Sequence, residues 1–118
     1  MFSDVLLDHF RNPRNAGDLE GPAVVVEVSN PACGDVMRLS LAVDQGRLSD
    51  ARFKTRGCVA AIACGSALTE LIKGKSIEEA ERVLAADVSA RVGGLPPESG
   101  HAAVLAHDAL TAALKAAR

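Results

Sequence analysis

Four side chains with chemistry of their own lie where the sequence pattern changes. Cys33 lies in the turn-forming run Asn-Pro-Ala-Cys-Gly, and Asp35 follows it by two positions. Cys58 comes directly after Gly57 at the start of a helical pattern, and His101 stands at the start of the last one. Thiolate, carboxylate and imidazole together form a ligand set for zinc or for an iron–sulfur cluster. The unpaired N–H groups of a helix start also predict a lowered pKa for the Cys58 thiol.

Each of these residues also has an ordinary structural interpretation. A lone cysteine is commonly a small buried hydrophobic side chain. An aspartate beside glycine commonly bonds its own backbone in a turn, and His101 fits a surface position in a first helical turn. Cys58 and His101 could also form a nucleophile–base pair, although the sequence offers no third group to orient them. The spacing alone therefore leaves ligand, structural and thiol-enzyme interpretations open.

The remaining cysteine and histidines carry weaker signals. Cys64 falls on a helical stripe of apolar residues, which predicts a buried thiol. It follows Cys58 by six residues, or about 9 Å along a helix axis, which is too far to share one small metal site. His9 and His107 have no sequence neighbour that suggests chemistry.

Strands come first among the elements that must position these residues. A valine-rich run predicts a strand over 23–29, and the turn residues Gln45-Gly46 predict a hairpin between strands 36–44 and 47–55. Strict alternation favours antiparallel pairing with one covered face. The covered face of the second strand is expected to carry Met37, Leu39, Leu41 and Val43.

One helix is predicted before the strands and three after them. Helical spacing predicts helices over residues 3–10, 59–73, 77–84 and 101–116. Ser3, Ser76 and Ser99 are expected N-caps, because their side-chain oxygens can accept from unpaired backbone N–H groups. Asp87 is expected to cap a short further turn, and the proline run 95–97 is expected to be non-helical.

Strands followed by helices indicate an α+β fold. We expect a single domain over residues 1–118, with a small three-stranded antiparallel sheet and helices packed on one face. Three cysteines without an export signal exclude a closed disulfide framework and predict a reducing, cytoplasmic location. A net charge of −2 without Trp or Tyr argues against a nucleic-acid partner, and the short apolar runs argue against a membrane span.

Several segments match a known pattern in the right order along nearly the whole chain. They are Asp-His-Phe-Arg-Asn-Pro-Arg-Asn (8–15), Asn-Pro-Ala-Cys-Gly-Asp-Val-Met (30–37), Ala-Arg-Phe-Lys-Thr-Arg-Gly-Cys (51–58), Thr-Glu-Leu-Ile-Lys-Gly-Lys-Ser (69–76), Leu-Pro-Pro (95–97) and Ala-His-Asp-Ala (106–109). Together they closely resemble the scaffold proteins of iron–sulfur cluster assembly. This is the IscU/SufU family, which also occurs as the N-terminal domain of NifU.

The resemblance implies a scaffold that binds and transfers a cluster, and no catalytic turnover of a small substrate. In the family a [2Fe–2S] cluster is built from iron and sulfide, a cysteine desulfurase supplies the sulfur, and acceptor proteins receive the cluster. The family's cluster or zinc ligands match Cys33, Asp35, Cys58 and His101 of this sequence.

Two positions depart from the family's pattern. Where the family has His-Cys, this chain has His101-Ala102, so the third ligand cysteine, which in the family is thought to receive sulfur, is absent. Where the family has Leu-Pro-Pro-Val-Lys, this chain ends the motif with Glu98-Ser99, which weakens the expectation of recognition by a dedicated chaperone. The altered ligand set leaves a second hypothesis open, namely a zinc-binding, assembly-deficient member with a structural or regulatory role. The oligomeric state stays open as well.

Overall fold

The computed structural model describes residues 2–31 and 34–118, so the predicted ligand Cys33 lies outside the described residues. The strands are β1 (Val24–Ser29), β2 (Val36–Asp44) and β3 (Arg47–Arg56). The helices are α1 (Asp4–Arg11), α2 (Val59–Ile72), α3 (Ile77–Glu81), α4 (Ala85–Arg91) and α5 (His101–Ala117), with a short 3₁₀ helix at Pro97–Ser99. This arrangement confirms the predicted α+β fold.

The three described strands form one antiparallel sheet in the order β1-β2-β3. Gln45 and Gly46 form the predicted turn of the β2–β3 hairpin, with φ of 52° and 76°. Positive φ at both positions suits the right-handed twist of the strands on either side. The pairing continues to Val36 opposite Arg56, so the start of β2 and the end of β3 lie side by side.

One face of the sheet is covered by α2 and α5, as expected. Met37, Leu39 and Leu41 are completely buried on that face. Val43 is 39% exposed, so its predicted place in the core is wrong. The register between β2 and β3 shifts between Ala42 and Val43, and a bulge of this kind rotates the following side chains out of the alternation.

Helix α2 is buried on almost every side. It packs between the sheet, α1 and α5, and ten of its fourteen residues are buried. Close approach to the sheet requires Gly65, because a Cβ there would lie 2.6 Å from Cε2 of Phe53. Within residues 2–31 and 34–118, no helix is both long and apolar enough to cross a bilayer.

The helix ends correct three expectations. Asp87 does not cap α4; Leu84 is the N-cap residue, and the Asp87 carboxylate accepts from its N–H at 2.8 Å. Helix α3 ends at Glu81 and not at the predicted residue 84, because Leu84 is already the N-cap of α4. Ser99 does not cap α5, because Ser99 belongs to the 3₁₀ turn that begins at Pro97, inside the run expected to be non-helical. The caps at Ser3 and Ser76 are confirmed.

Candidate metal centre

Three of the four predicted ligands come together at one end of the sheet. Asp35 directly precedes β2, and its backbone carbonyl accepts from the Asn30 N–H at 2.8 Å, which closes the β1–β2 loop. Cys58 follows β3 and is the N-cap of α2, where its Sγ accepts from the Ala61 N–H at 3.4 Å. His101 is the first residue of α5. We call Asp35, Cys58 and His101 the candidate metal centre.

The side chains of the candidate metal centre contact one another directly. The Cys58 thiol donates to Asp35 Oδ2 at 3.1 Å, and the Cys58 backbone N–H donates to Asp35 Oδ1 at 3.3 Å. His101 Nε2 lies 3.6 Å from Asp35 Oδ2 and 3.9 Å from Cys58 Sγ. One ligand atom from each residue lies within 4.8 Å of the other two.

These separations suit a single metal ion. Zinc bonds of about 2.0–2.3 Å at tetrahedral angles place neighbouring ligand atoms about 3.5 Å apart. The three measured separations of 3.1, 3.6 and 3.9 Å bracket that value. The group can therefore close around one ion with small side-chain adjustments.

The centre is open to solvent on one side. Cys58 is exposed, and the His101 side chain keeps 33% of its surface accessible, whereas that of Asp35 keeps only 6%. A buried carboxylate with an exposed thiol and imidazole above it leaves an approach for an ion, a cluster or a partner. Asp35 therefore lies at the buried bottom of the site, and Cys58 and His101 lie at its solvent-accessible edge.

The expected lowering of the Cys58 pKa is wrong. Partial burial raises the pKa of the thiol, and the Asp35 carboxylate, as a hydrogen-bond acceptor and a negative charge, raises it further. The N–H groups at the start of α2 act in the predicted direction but do not prevail. A raised pKa removes the main reason to regard Cys58 as an activated nucleophile.

Cys64 behaves as predicted. It is completely buried in the core, and burial raises its pKa to about 12. A thiol that stays protonated inside the core is not available as a ligand. Ala102, the residue after His101, is also completely buried, so position 102 faces the core and not the solvent.

A second histidine cluster escaped the sequence analysis. His9 on α1 is 4% exposed, with Nδ1 2.7 Å from Ser66 Oγ and Nε2 3.4 Å from Glu70 Oε1. The Ser66 hydroxyl also accepts from the Arg14 backbone N–H at 2.8 Å. We call His9, Arg14, Ser66 and Glu70 the buried polar cluster. The i, i+4 spacing of Ser66 and Glu70 on α2 was visible in the sequence, but nothing there indicated that α1 would dock against it.

Comparisons with known proteins agree with this architecture. The sequence profile of the NifU-like N terminal domain matches residues 1–118. The chain is 46% identical over 114 residues to iron-sulfur cluster assembly scaffold protein IscU 1 of Archaeoglobus fulgidus, covering 97% of this chain and 74% of that protein. It is 47% identical over 118 residues to the scaffold protein IscU of Azotobacter vinelandii, covering 97% and 91%. The crystal structure of the N-terminal part of a nitrogen-fixing NifU-like protein from Brucella abortus has the same fold, with a TM-score of 0.76, 17% identity and coverage of 97% and 92%.

Proposed function

Since this chain belongs to the NifU-like N-terminal domain family and is an iron–sulfur cluster assembly scaffold, we propose that its cargo binds at the candidate metal centre. The ligands in this proposal are Asp35, Cys58 and His101, with Cys33 as the fourth. The cargo is iron or a [2Fe–2S] cluster, held for transfer to acceptor proteins. The protein is a scaffold and not a catalyst.

The convergence of the three described ligand atoms carries this proposal. They come from the start of β2, the end of β3 and the start of α5, yet lie within 4.8 Å of one another. A carboxylate, a thiol and an imidazole are all metal ligands, and here they contact one another at an accessible edge of the fold. This mixture of donors is also compatible with a [2Fe–2S] cluster, since histidines replace cysteines on one iron of Rieske centres.

Binding of the cargo displaces a proton. The Cys58 thiol donates to Asp35 at 3.1 Å, and its raised pKa means that the proton stays on sulfur near neutral pH. A metal ligand must be a thiolate, so metal uptake releases this proton and becomes tighter as the pH rises. Asp35 is then free of the thiol proton and can turn its carboxylate toward the metal.

The proposed partners follow from the scaffold role. A cysteine desulfurase supplies sulfur, and apo-proteins accept the finished cluster. Because Ala102 replaces the expected third cysteine, position 102 cannot receive sulfur from that partner. In the stretch read by the dedicated chaperone, the exposed Glu98 adds a negative charge and Ser99 replaces the lysine, which argues against recognition by that chaperone. A site that depends on free thiols favours a reducing compartment such as the cytoplasm.

Anaerobic reconstitution with iron and sulfide tests the cargo and the site together. Visible absorption and the ratio of iron to acid-labile sulfide should report one [2Fe–2S] cluster per site in the natural protein. Cys58→Ser should abolish uptake, whereas Cys64→Ser, a matched change of a buried thiol, should keep it. A natural protein that takes up no cluster would disprove the cargo, and equal uptake by Cys58→Ser would disprove the site.

A second function is favoured by the spacing of the ligands. Separations of 3.1–3.9 Å suit one tetrahedral ion, whereas two irons that share a cluster require ligands on opposite sides of it. In this alternative the site holds zinc, and the protein has a structural or regulatory role in assembly. Metal analysis of protein isolated without reconstitution separates the two: stoichiometric zinc that resists exchange for iron and sulfide supports the alternative.

A further inference from the structure

The glycine before Cys58 occupies the tightest place in the candidate metal centre. A Cβ on Gly57 would lie 2.9 Å from Cβ of Asp35, 2.5 Å from its Cγ and closer still to Oδ1. No flexible side-chain end is involved, because the crowded atoms belong to a carboxylate that is itself buried and hydrogen-bonded. Any residue other than glycine would have to push Asp35 away.

The backbone of Gly57 imposes the same choice. Its φ is +154°, a value that L-residues rarely adopt. The pairing of Val36 with Arg56 places Asp35 beside Gly57, so the carboxylate can lie across the bare Cα. From there Asp35 reaches both the N–H and the thiol of the next residue, Cys58.

We propose that Gly57 is a positioning residue of the candidate metal centre, whose missing side chain holds open the space from which Asp35 contacts Cys58. It acts through Asp35 and does not touch the cargo itself. This inference rests on the proposed function for its consequence, since displacement of Asp35 weakens metal binding only if that centre binds metal. The contact between Gly57 and Asp35 is independent of that function.

Co²⁺ is the probe, because its visible absorption reports thiolate ligation and its affinity can be measured by competition with a chelator. Gly57→Ala should weaken Co²⁺ binding by about 10-fold or more, because displacement of the ligand Asp35 costs at least as much as loss of a group that supports a ligand. Gly94→Ala is the matched control. Gly94 also has a positive φ, +93°, but has no atom within 4 Å of a Cβ placed on it. The affinity of the Gly94→Ala variant for Co²⁺ should stay within about 2-fold of that of the natural protein, because substitutions away from a site change little.

A double-mutant cycle with Asp35→Ala tests the route of the effect. That substitution removes the carboxylate, including the two atoms that a Cβ on residue 57 would approach most closely. If Gly57 acts through Asp35, Gly57→Ala should cost less than about 3-fold in the Asp35→Ala background, because the two changes share one interaction. An equal cost in both backgrounds, or no cost in the natural one, would overturn the proposal.

Two further measurements keep the inference testable. The ¹H signal of the Cys58 amide, which donates to Asp35, should shift more on Gly57→Ala in the natural background than in the Asp35→Ala background, without any metal. If the natural protein binds no Co²⁺ but this difference occurs, the proposed function fails and the positioning role stands. If Gly57→Ala fails to fold but the double variant folds, the clash with Asp35 is confirmed. If both fail, the clash with the Asp35 carboxylate does not explain the requirement for glycine, and the proposal is wrong.

Discussion

Among the residues that the structure describes, two clusters are built around a histidine, and they differ in burial and in the closeness of their contacts. In the buried polar cluster, His9 is enclosed between α1 and α2 and has a close partner at each ring nitrogen. In the candidate metal centre, His101 lies on the surface, and its nearest partners are 3.6 and 3.9 Å from Nε2. Both clusters contain an imidazole, a carboxylate and a hydroxyl or thiol.

The difference shows how similar side chains are enclosed by the fold in one place and left open to a ligand in another. Buried polar groups must find partners within the protein, so those of the first cluster tie α1 to α2. The groups of the second cluster have longer contacts and an open side, so a ligand can improve on the interactions they already make. Residue types alone do not separate these roles; burial and the distances between the atoms do.

The largest effects are expected from alanine substitutions of His101 and His9, which should act on different properties of the protein. His101→Ala should weaken zinc or Co²⁺ binding by about 100-fold, because a lost ligand costs at least as much as a lost supporting group. It should leave the free energy of unfolding of the metal-free protein nearly unchanged. His9→Ala should do the reverse. Chelator competition measures the metal affinity of both variants, and urea denaturation measures their free energy of unfolding. A loss of metal binding in His9→Ala would contradict the separation of the two clusters.

Removal of the Ser66 hydroxyl, which contacts both His9 and the Arg14 N–H, should destabilise the fold. Ser66→Ala deprives both the His9 ring and the Arg14 N–H of a partner at 2.7 and 2.8 Å. Unpaired buried groups cost about 1–3 kcal/mol each, so the urea midpoint should fall clearly while metal binding stays the same. Ser49→Ala, at an exposed serine on β3, is the control. An unchanged midpoint would show that the buried polar cluster does not stabilise the docking of α1.

Acid should weaken the buried polar cluster through His9. Burial lowers the pKa of His9 below its ordinary value of 6.5, and the Arg14 charge lowers it further. The unfolded chain therefore binds the proton more readily, so stability is full above pH 6.5 and declines as the pH falls below it. The decline ends where folded His9 is protonated too. The free energy of unfolding, measured in steps from pH 7.5 to 5, should lose part of this slope in His9→Gln; an identical slope would assign the pH dependence to other groups.

The smallest effect is expected at the third histidine. His107 lies partly exposed on α5, and its described hydrogen bond uses only the backbone carbonyl, which accepts from Thr111 Oγ1 at 3.0 Å. His107→Ala should change stability by less than about 0.5 kcal/mol, as is usual for surface positions, and should leave metal binding unaltered. A larger change in either measurement would reveal a role for His107 that neither histidine cluster explains.

Much of the fold could be predicted because its local signals are strong. Alternation fixed β2 to residues 36–44, and the two caps at Ser3 and Ser76 marked real helix starts. The errors arose where a neighbouring element outweighed a local signal. Val43 alternates correctly in sequence but lies beyond a bulge, and Asp87 can cap a helix but serves instead at the third position of one.

The candidate site was predicted in part for the same reason. Asp35, Cys58 and His101 could be singled out because they lie at the ends of elements, and the structure brings those ends together. The direction of the Cys58 pKa shift could not be predicted from the sequence. The position of Cys58 at a helix start is visible there, but its burial and its contact with Asp35 arise only in the fold. The buried polar cluster was missed because nothing in the sequence indicated that α1 would dock against α2 and bring His9 to Ser66.

The sequence by itself determined the order of strands and helices, the turn at Gln45-Gly46 and the identities of the candidate ligands. These features depend on spacing and on residue type, which are local properties of the chain. Only the tertiary structure decided that Asp35 lies across Gly57, that burial raises the pKa of the Cys58 thiol, and that His9 is buried while His101 stays partly exposed to solvent. Each of these outcomes depends on burial and on distances between residues far apart in sequence, which arise only when the elements pack.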